Sequence, residues 1–174
     1  VDEKNFSGIE KKKCIVTGSA NFALVQQASQ SMAGRTPILT LLPLSSQEIT
    51  NVFPEVTTNL RILNGGYPAI WKADDEGRNL LLSNYYTTYV ERDLRSMINI
   101  KDLTQFNTFI RLCAGRIGSE CNASTLAVEV GVSVPTIQSW FSILEASYII
   151  YRLSPYYSNI GKRLVKTPKL YFYD

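Results

Sequence analysis

Apolar side chains recur every three or four residues through the stretch 122–145, NASTLAVEVGVSVPTIQSWFSILE, and this spacing predicts two short helices. Ser124 can cap the first helix, and Gly131 supplies the left-handed residue that ends it and opens a turn. Ser133 can cap the second helix, whose first turn tolerates Pro135 because an N–H is not needed there. The stretch therefore predicts a helix-turn-helix. Its apolar faces comprise Leu126, Ala127 and Val130 in the first helix, and Ile137, Phe141 and Leu144 in the second.

Two short runs rich in aromatic and β-branched residues follow, at 147–153 and 169–173, and each is typical of a β-strand. Proline, glycine and asparagine between the runs mark a loop. Two strands joined by a loop directly after a helix-turn-helix predict a wing. The basic side chains of this region can contact phosphates, or they can simply protect a sheet edge. They are Lys162, Arg163, Lys166 and Lys169.

The first third of the chain differs from the rest, because predicted strands and helices alternate along it. Residues 13–17 and 38–42 are predicted strands, residues 22–32 have helical spacing, and the polar run 45–48 is predicted to cap a further helix. Alternating strands and helices are typical of a parallel sheet, so an α/β region is predicted for residues 1–58.

A predicted linker at 59–77 contains the turn signals NGGYP and DDEG. Residues 78–174 are predicted to be mainly helical until the wing, and one helix is expected to begin after Asp102. Tyrosines flank an apolar row in the first of these helices, and their spacing fits a packed face better than a platform for stacking bases. The row consists of Leu82, Tyr86, Val90, Leu94 and Ile98.

Composition limits the number of domains and the kinds of partner that the chain can have. The 174 residues suit one large domain or two small ones, and an apolar content of 45% is ample for a core. No apolar run is long enough to cross a bilayer. The net charge of +3 is small, so affinity for nucleic acid would have to come from local clustering of basic groups. Both ends look cut, and we expect a piece of a longer protein.

Reactive side chains are few. Cys14, Cys113 and Cys121 lack metal-ligand spacing, which predicts no metal site and favours a reducing, cytoplasmic location. The absence of histidine from the sequence excludes a Ser-His-Asp triad and histidine-based zinc chemistry. The dipeptide Asp74–Asp75 could serve metal-dependent hydrolysis, but a solvated turn is the simpler interpretation.

An ordered series of short segments resembles the large prokaryotic family of predicted AAA-type ATPases, in which a winged-helix domain of unknown role follows the nucleotide domain. The helix-turn-helix belongs to this series. The other segments are CIVTGSAN (14–21), AGR (33–35), LLPLS (41–45), GGYP (65–68), YVERD (89–93) and KRLVKTPKLYFYD (162–174).

The resemblance implies a partial P-loop ATPase-type α/β sheet region, followed by a mainly α winged helix-turn-helix domain. Residues 1–58 would be the nucleotide domain from the sensor strand onward, and residues 78–174 a winged-helix domain truncated at its C-terminus. Ser19 and Asn21 match the sensor position that faces the γ-phosphate, and Arg35 matches a candidate arginine finger. The parent protein would use ATP and Mg²⁺.

The sequence departs from that family where phosphates would be held. It contains no GxxxxGK[ST] loop and no acidic strand end for Mg²⁺. We therefore predict that this chain alone neither binds nor hydrolyses ATP, because the Walker A and Walker B segments are missing.

Two functions compete for the winged helix. In the first, it contacts DNA through Thr136, Gln138 and Ser139, none of which is the arginine or lysine that most often reads guanine. In the second, it is a protein-interaction or lid module of a regulatory ATPase, and an exposed Trp140 among apolar neighbours would favour this function. Self-association through an exposed sheet edge is a further expectation. No membrane partner is predicted.

Overall fold

A computed structural model describes residues 39–93, 102–158, 161 and 166–174 of the chain, all within one compact unit that begins at Leu39. The described residues are mainly helical. A 3-10 turn at Ile70–Lys72 separates the second and third α-helices, and the third continues as π-helical turns over Tyr86–Asp93. The α-helices are α1 (Ser46–Val52), α2 (Thr58–Asn64), α3 (Asp75–Tyr85), α4 (Leu103–Ala114), α5 (Ala123–Val130) and α6 (Val134–Ala146).

Side-chain caps begin the first three helices. Ser45 and Glu48 form a reciprocal capping box at α1, which confirms the cap predicted for this polar run. The Thr57 side chain accepts a hydrogen bond from the N–H of Leu60 at the start of α2. Asp74 accepts one from Gly77 N–H at α3, so Asp74–Asp75 is a helix start. The predicted linker 59–77 thus contains most of α2, and the proposed domain boundaries stay predictions.

Helix α4 begins where the sequence predicts. The Asp102 carboxylate accepts hydrogen bonds from the N–H groups of Thr104 and Gln105. Spacing of three and four residues then places one apolar face in the core, where Phe106 and Phe109 are fully buried.

Helices α5 and α6 occupy the stretch predicted as a helix-turn-helix. Gly131 ends α5 in the left-handed conformation, with φ 78° and ψ 35°. Ser133 caps α6 through Thr136 N–H, and Pro135 lies in the first turn. The predicted cap Ser124 is wrong. Asn122 caps α5 instead, and its side chain accepts from the N–H groups of Ser124 and Thr125.

Two strands follow, β1 (Ile150–Leu153) and β2 (Lys169–Phe172), and they pair antiparallel. On its other side β2 exchanges backbone hydrogen bonds with the segment after α4. Gly118 N–H donates to Leu170 O at 2.8 Å, and Leu170 N–H donates to Ser119 O at 3.1 Å. Strand β2 is therefore bonded along part of both edges.

An aromatic cluster at the centre of the core joins α4 to α6. The Trp140 ring lies 5.2 Å from Phe106 and 5.3 Å from Phe109, and Phe109 meets Phe141 edge-on at 5.1 Å. Edge-to-face contacts at these distances add specific attraction to the burial of apolar area. This cluster fixes which face of α6 points inward.

The predicted ATPase-type α/β sheet is wrong. In the part of the chain that the structure describes, the sheet has two antiparallel strands, and helices dominate. Residues 39–42 of the predicted strand 38–42 form no regular structure, and Leu41 is 99% exposed. A short apolar run is held as a strand by the hydrogen bonds of a neighbouring strand, and among the described residues no strand pairs with this run. The predicted strand 13–17 and helix 22–32 lie outside the described residues.

Candidate functional site

The outward face of α6 is uncharged. Gln138 and Ser139 are exposed, whereas Thr136 is half-buried with its hydroxyl 2.8 Å from that of Ser133. Helix α6 itself contains no lysine or arginine. Of the three residues predicted to meet nucleic acid, Gln138 and Ser139 are therefore accessible on the outward face, whereas Thr136 is engaged at the start of the helix.

The basic side chains of the predicted wing are only partly described. Lys166 and Lys169 are exposed, and Lys169 opens β2 opposite Leu153 of β1. Lys162 and Arg163 lie outside the described residues. So do Ser19, Asn21 and Arg35, the predicted sensor and arginine-finger positions.

Acids pair with two arginines that flank the helix-turn-helix. Arg116 lies 2.6 Å from Glu129 of α5. The Arg152 guanidinium makes a two-pronged contact with Glu145 at 2.9 and 2.7 Å. Charges matched in this way add little positive potential for a phosphate backbone, so the exposed lysines matter more.

Trp140 is buried, with 6% of its surface exposed. Its ring belongs to the aromatic core and offers no docking face. A buried Trp140 favours neither the DNA function nor the protein-interaction function.

A second candidate site is a cleft of about 320 Å³ that we call the tyrosine cleft. Segments far apart in the sequence line it: the end of α2, helix α3, the turn between α6 and β1, and the residues after β2. Among the lining residues are Tyr67, Tyr85, Tyr86, Tyr148 and Asp174.

A glycine pair and a carboxylate close one side of this cleft. The N–H of Gly66 donates to Asp174 Oδ1 at 2.6 Å, across 108 residues of sequence. Gly65 has φ 64° and ψ −154°, a region that is essentially restricted to glycine. A Cβ on Gly65 would collide with the Asp174 carboxylate, so the close approach itself requires glycine.

Burial controls the electrostatics of the cleft. It raises the pKa of the Asp174 carboxyl, against the opposing effect of the Gly66 and Tyr67 N–H groups. Burial also raises the pKa values of Tyr67 and Tyr85, and the Asp174 charge raises them further. The hydroxyls of the two tyrosines are hydrogen-bonded to each other, and their rings lie 5.0 Å apart.

The turn at Tyr148 is strained. Tyr148 has φ 53°, an uncommon conformation for a bulky residue. Its hydroxyl lies 3.1 Å from that of Thr40, and its ring meets Tyr173 edge-on at 5.8 Å. Strain of this kind clusters at binding and active sites, so it marks the cleft as a candidate site.

Sequence reasoning missed the tyrosine cleft. The sequence predicts a turn at NGGYP and a strand at 169–173, but it gives no sign that the two segments meet. A glycine pair before Tyr-Pro does signal an unusual backbone. Nothing in a single sequence indicates that its partner is a carboxylate 108 residues away.

Among the described residues, no group of three or more cysteine, aspartate or glutamate side chains is placed to hold a metal ion. Nor does any helix among them combine the length and the apolar character needed to span a bilayer.

The helix-turn-helix, the two strands and the tyrosine cleft all lie within one family match. The chain belongs to the family described as a domain of unknown function, DUF8612, whose model matches residues 57–174. No solved structure matches the chain.

The relatives that match this chain are longer proteins than the chain itself. Uncharacterised proteins of Mycobacterium bovis and Mycobacterium tuberculosis are each 29% identical over 161 residues, which cover 92% of this chain and 36% of each relative. An uncharacterised protein of Haemophilus influenzae is 26% identical over 172 residues, covering 91% of this chain and 42% of that relative. The chain therefore spans about two-fifths or less of the length of these relatives.

These comparisons overturn the resemblance to AAA-type ATPases. The matching family has no known function and the relatives are uncharacterised, so nothing in them indicates an AAA ATPase or ATP binding. Shared short segments misled because none of them is specific by itself. The roles of ATP and Mg²⁺ followed from that resemblance alone, and no described residue tests them.

Proposed function

We propose that the helix-turn-helix of α5 and α6 contacts duplex DNA, with most of the affinity coming from phosphates and little from base sequence. The observation that carries this proposal is the exposed, uncharged, hydrogen-bonding face of α6 at Gln138 and Ser139. Such a face can lie in a groove without repelling phosphates, and glutamine can pair with adenine. Exposed Lys166 and Lys169 add positive charge after the helices.

A salt series on duplex DNA tests the proposal. Fluorescence anisotropy should show binding at low salt that weakens steeply as salt rises, because released counterions drive it. Lys166→Gln and Lys169→Gln should each weaken binding to every duplex and reduce the salt slope by about one. Gln138→Ala should weaken binding with little change of slope.

Lys72→Gln is the matched control, since Lys72 is exposed but lies in the 3-10 turn away from the helix-turn-helix sequence. It should leave both affinity and slope unchanged. A chain that fails to bind duplex DNA at low salt would overturn the proposal. Equal effects of Lys72→Gln and Lys169→Gln would overturn it too, because binding would then follow net charge alone.

A protein-interaction or oligomerisation role is the second candidate. Val128 is the residue through which this role can be tested, because its aliphatic side chain on α5 is 83% exposed. Sedimentation of the chain over a range of concentrations would reveal self-association. Val128→Asp should abolish association made through this surface, and an association that Val128→Asp leaves intact would exclude the surface.

We also propose a cytoplasmic location. Cys113 and Cys121 support it, because both are free and buried. Unpaired thiols fit a reducing compartment.

A further inference from the structure

We propose that the tyrosine cleft binds a small organic cation, an alkylammonium or alkylguanidinium ion, with its charged head at the Asp174 carboxylate. The volume of about 320 Å³ lies at the lower end of the range for ligand sites, about 300–1,000 Å³. A short-chain ligand therefore suits it better than a large one.

The carboxylate lacks a countercharge. In the parts of the chain that the structure describes, the arginines that form ion pairs do so with Asp75, Glu129 and Glu145, and Asp174 has no cationic partner. Asp174 is exposed at the edge of the cleft, so a ligand can reach its carboxylate, and a cation is the group that would complement that charge. The N–H groups of Gly66 and Tyr67 both donate to this carboxylate, and its remaining lone pairs can accept from a ligand.

Two tyrosines that line the cleft, Tyr67 and Tyr85, lie close enough to Asp174 to be affected by its charge. The rings of Tyr67 and Tyr85 lie 5.0 Å apart, and Tyr85 and Tyr89 are separated by 5.3 Å. Aromatic faces attract ammonium and guanidinium groups, and phenolic oxygens can accept their hydrogen bonds. Burial is the main cause that raises the pKa values of Tyr67 and Tyr85, and the negative charge of Asp174 raises them further, so the cleft disfavours a second negative charge.

Aliphatic side chains complete the cleft and define the other half of the ligand. Ile62, Leu63 and Leu82 line it beside the tyrosines. An alkyl stem buried there would gain from the removal of apolar surface from water. Arg78 of α3 donates to Asn64 Oδ1 at 3.2 Å and pairs with Asp75, so it is already occupied.

Binding of n-butylguanidinium to the full chain, followed through the amide NMR signals of Gly65 and Gly66, tests this proposal. The neutral n-butylurea has nearly the same shape and should bind about ten-fold more weakly, as expected for loss of a charge-assisted hydrogen bond. Bound cation should also lower the pH at which the Asp174 carboxyl titrates, because binding and deprotonation are linked. The other titratable groups that line the cleft are Tyr67, Tyr85, Tyr86 and Tyr148, and Tyr89 lies against Tyr85.

Asp174→Asn keeps an oxygen acceptor for Gly66 N–H and removes the charge. It should abolish the preference for the cation over the urea, whereas Glu55→Gln, at an exposed carboxylate of the loop before α2, should preserve it. Equal binding of the cation and the urea to the unaltered chain would overturn the proposal, and this comparison needs no variant to fold. The proposal would also be overturned if about 10 mM butylguanidinium left the amide NMR signals of Gly65 and Gly66 unchanged.

Discussion

At the scale of single residues, Gly65 bears two independent constraints. Its φ of 64° with ψ −154° excludes side chains on conformational grounds, and the Asp174 carboxylate occupies the space that a Cβ would need. Its carbonyl also accepts a hydrogen bond from the Trp71 indole at 2.9 Å. Gly65 and Gly66 together thus connect the end of α2 to the 3-10 turn and to the residues after β2.

Gly65→Ala should therefore lower the free energy of unfolding by about 1–3 kcal/mol, because both the backbone and Asp174 must shift. Urea denaturation measures this loss. Gly115→Ala is the matched control, since Gly115 has φ −70° and a Cβ there would meet its nearest atoms at 3.7 Å. We expect Gly115→Ala to change stability by less than about 0.5 kcal/mol. A Gly65→Ala protein as stable as the Gly115→Ala protein would contradict the close approach.

At the scale of elements, the start of α5 shows that a sequence can predict a helix without predicting its capping residue. Asn122 and Ser124 both belong to the residue types that cap helices. The spacing of apolar positions locates the helix but not its first residue, because Leu126 satisfies the pattern with either start. The structure selects Asn122, whose side chain accepts two backbone N–H groups at 2.8 and 3.3 Å.

Asn122→Ala should cost about 1 kcal/mol of stability, since two N–H groups would lose their acceptor. Ser124→Ala should be close to neutral, because Ser124 lies inside the helix and is exposed. Thermal unfolding of the two variants side by side gives the comparison. A larger loss for Ser124→Ala than for Asn122→Ala would restore Ser124 as the cap.

Other elements could be predicted because local chemistry determines them. Gly131, Ser133 and Pro135 each occupy a position that a helix-turn-helix requires, and all three are where the sequence predicts. The strands β1 and β2 also follow from β-branched and aromatic runs. The run 38–42 has similar composition, but a strand depends on a partner, and composition does not reveal whether a partner exists.

At the scale of the whole molecule, contacts between distant segments build the tyrosine cleft. Leu44 N–H donates to Gly66 O at 2.8 Å, and Gly66 N–H in turn donates to Asp174. Residues before α1, after α2 and after β2 therefore meet at one point. Such a meeting depends on how all the helices pack, which explains why the motifs of a single sequence located the helix-turn-helix but not the cleft.

The burial of tyrosines in this cleft makes the free energy of unfolding depend on pH in the alkaline range. Burial raises the pKa values of Tyr67 and Tyr85 above the ordinary tyrosine value of 10.0. Above about pH 10 the unfolded chain therefore loses protons that the folded chain retains. The contribution of these tyrosines to stability is complete below that pH and is lost as the pH rises through their folded-state values.

Urea midpoints measured between about pH 8 and pH 11 should fall most steeply above pH 10. Tyr85→Phe removes one of the two shifted groups and should flatten that fall, even if loss of its hydrogen bond to Tyr67 lowers stability at every pH. Tyr156→Phe is the control, because Tyr156 is 87% exposed, and its slope should match that of the unaltered chain. If Tyr85→Phe and the unaltered chain lose stability in parallel above pH 10, the tyrosines of the cleft are not held protonated by burial.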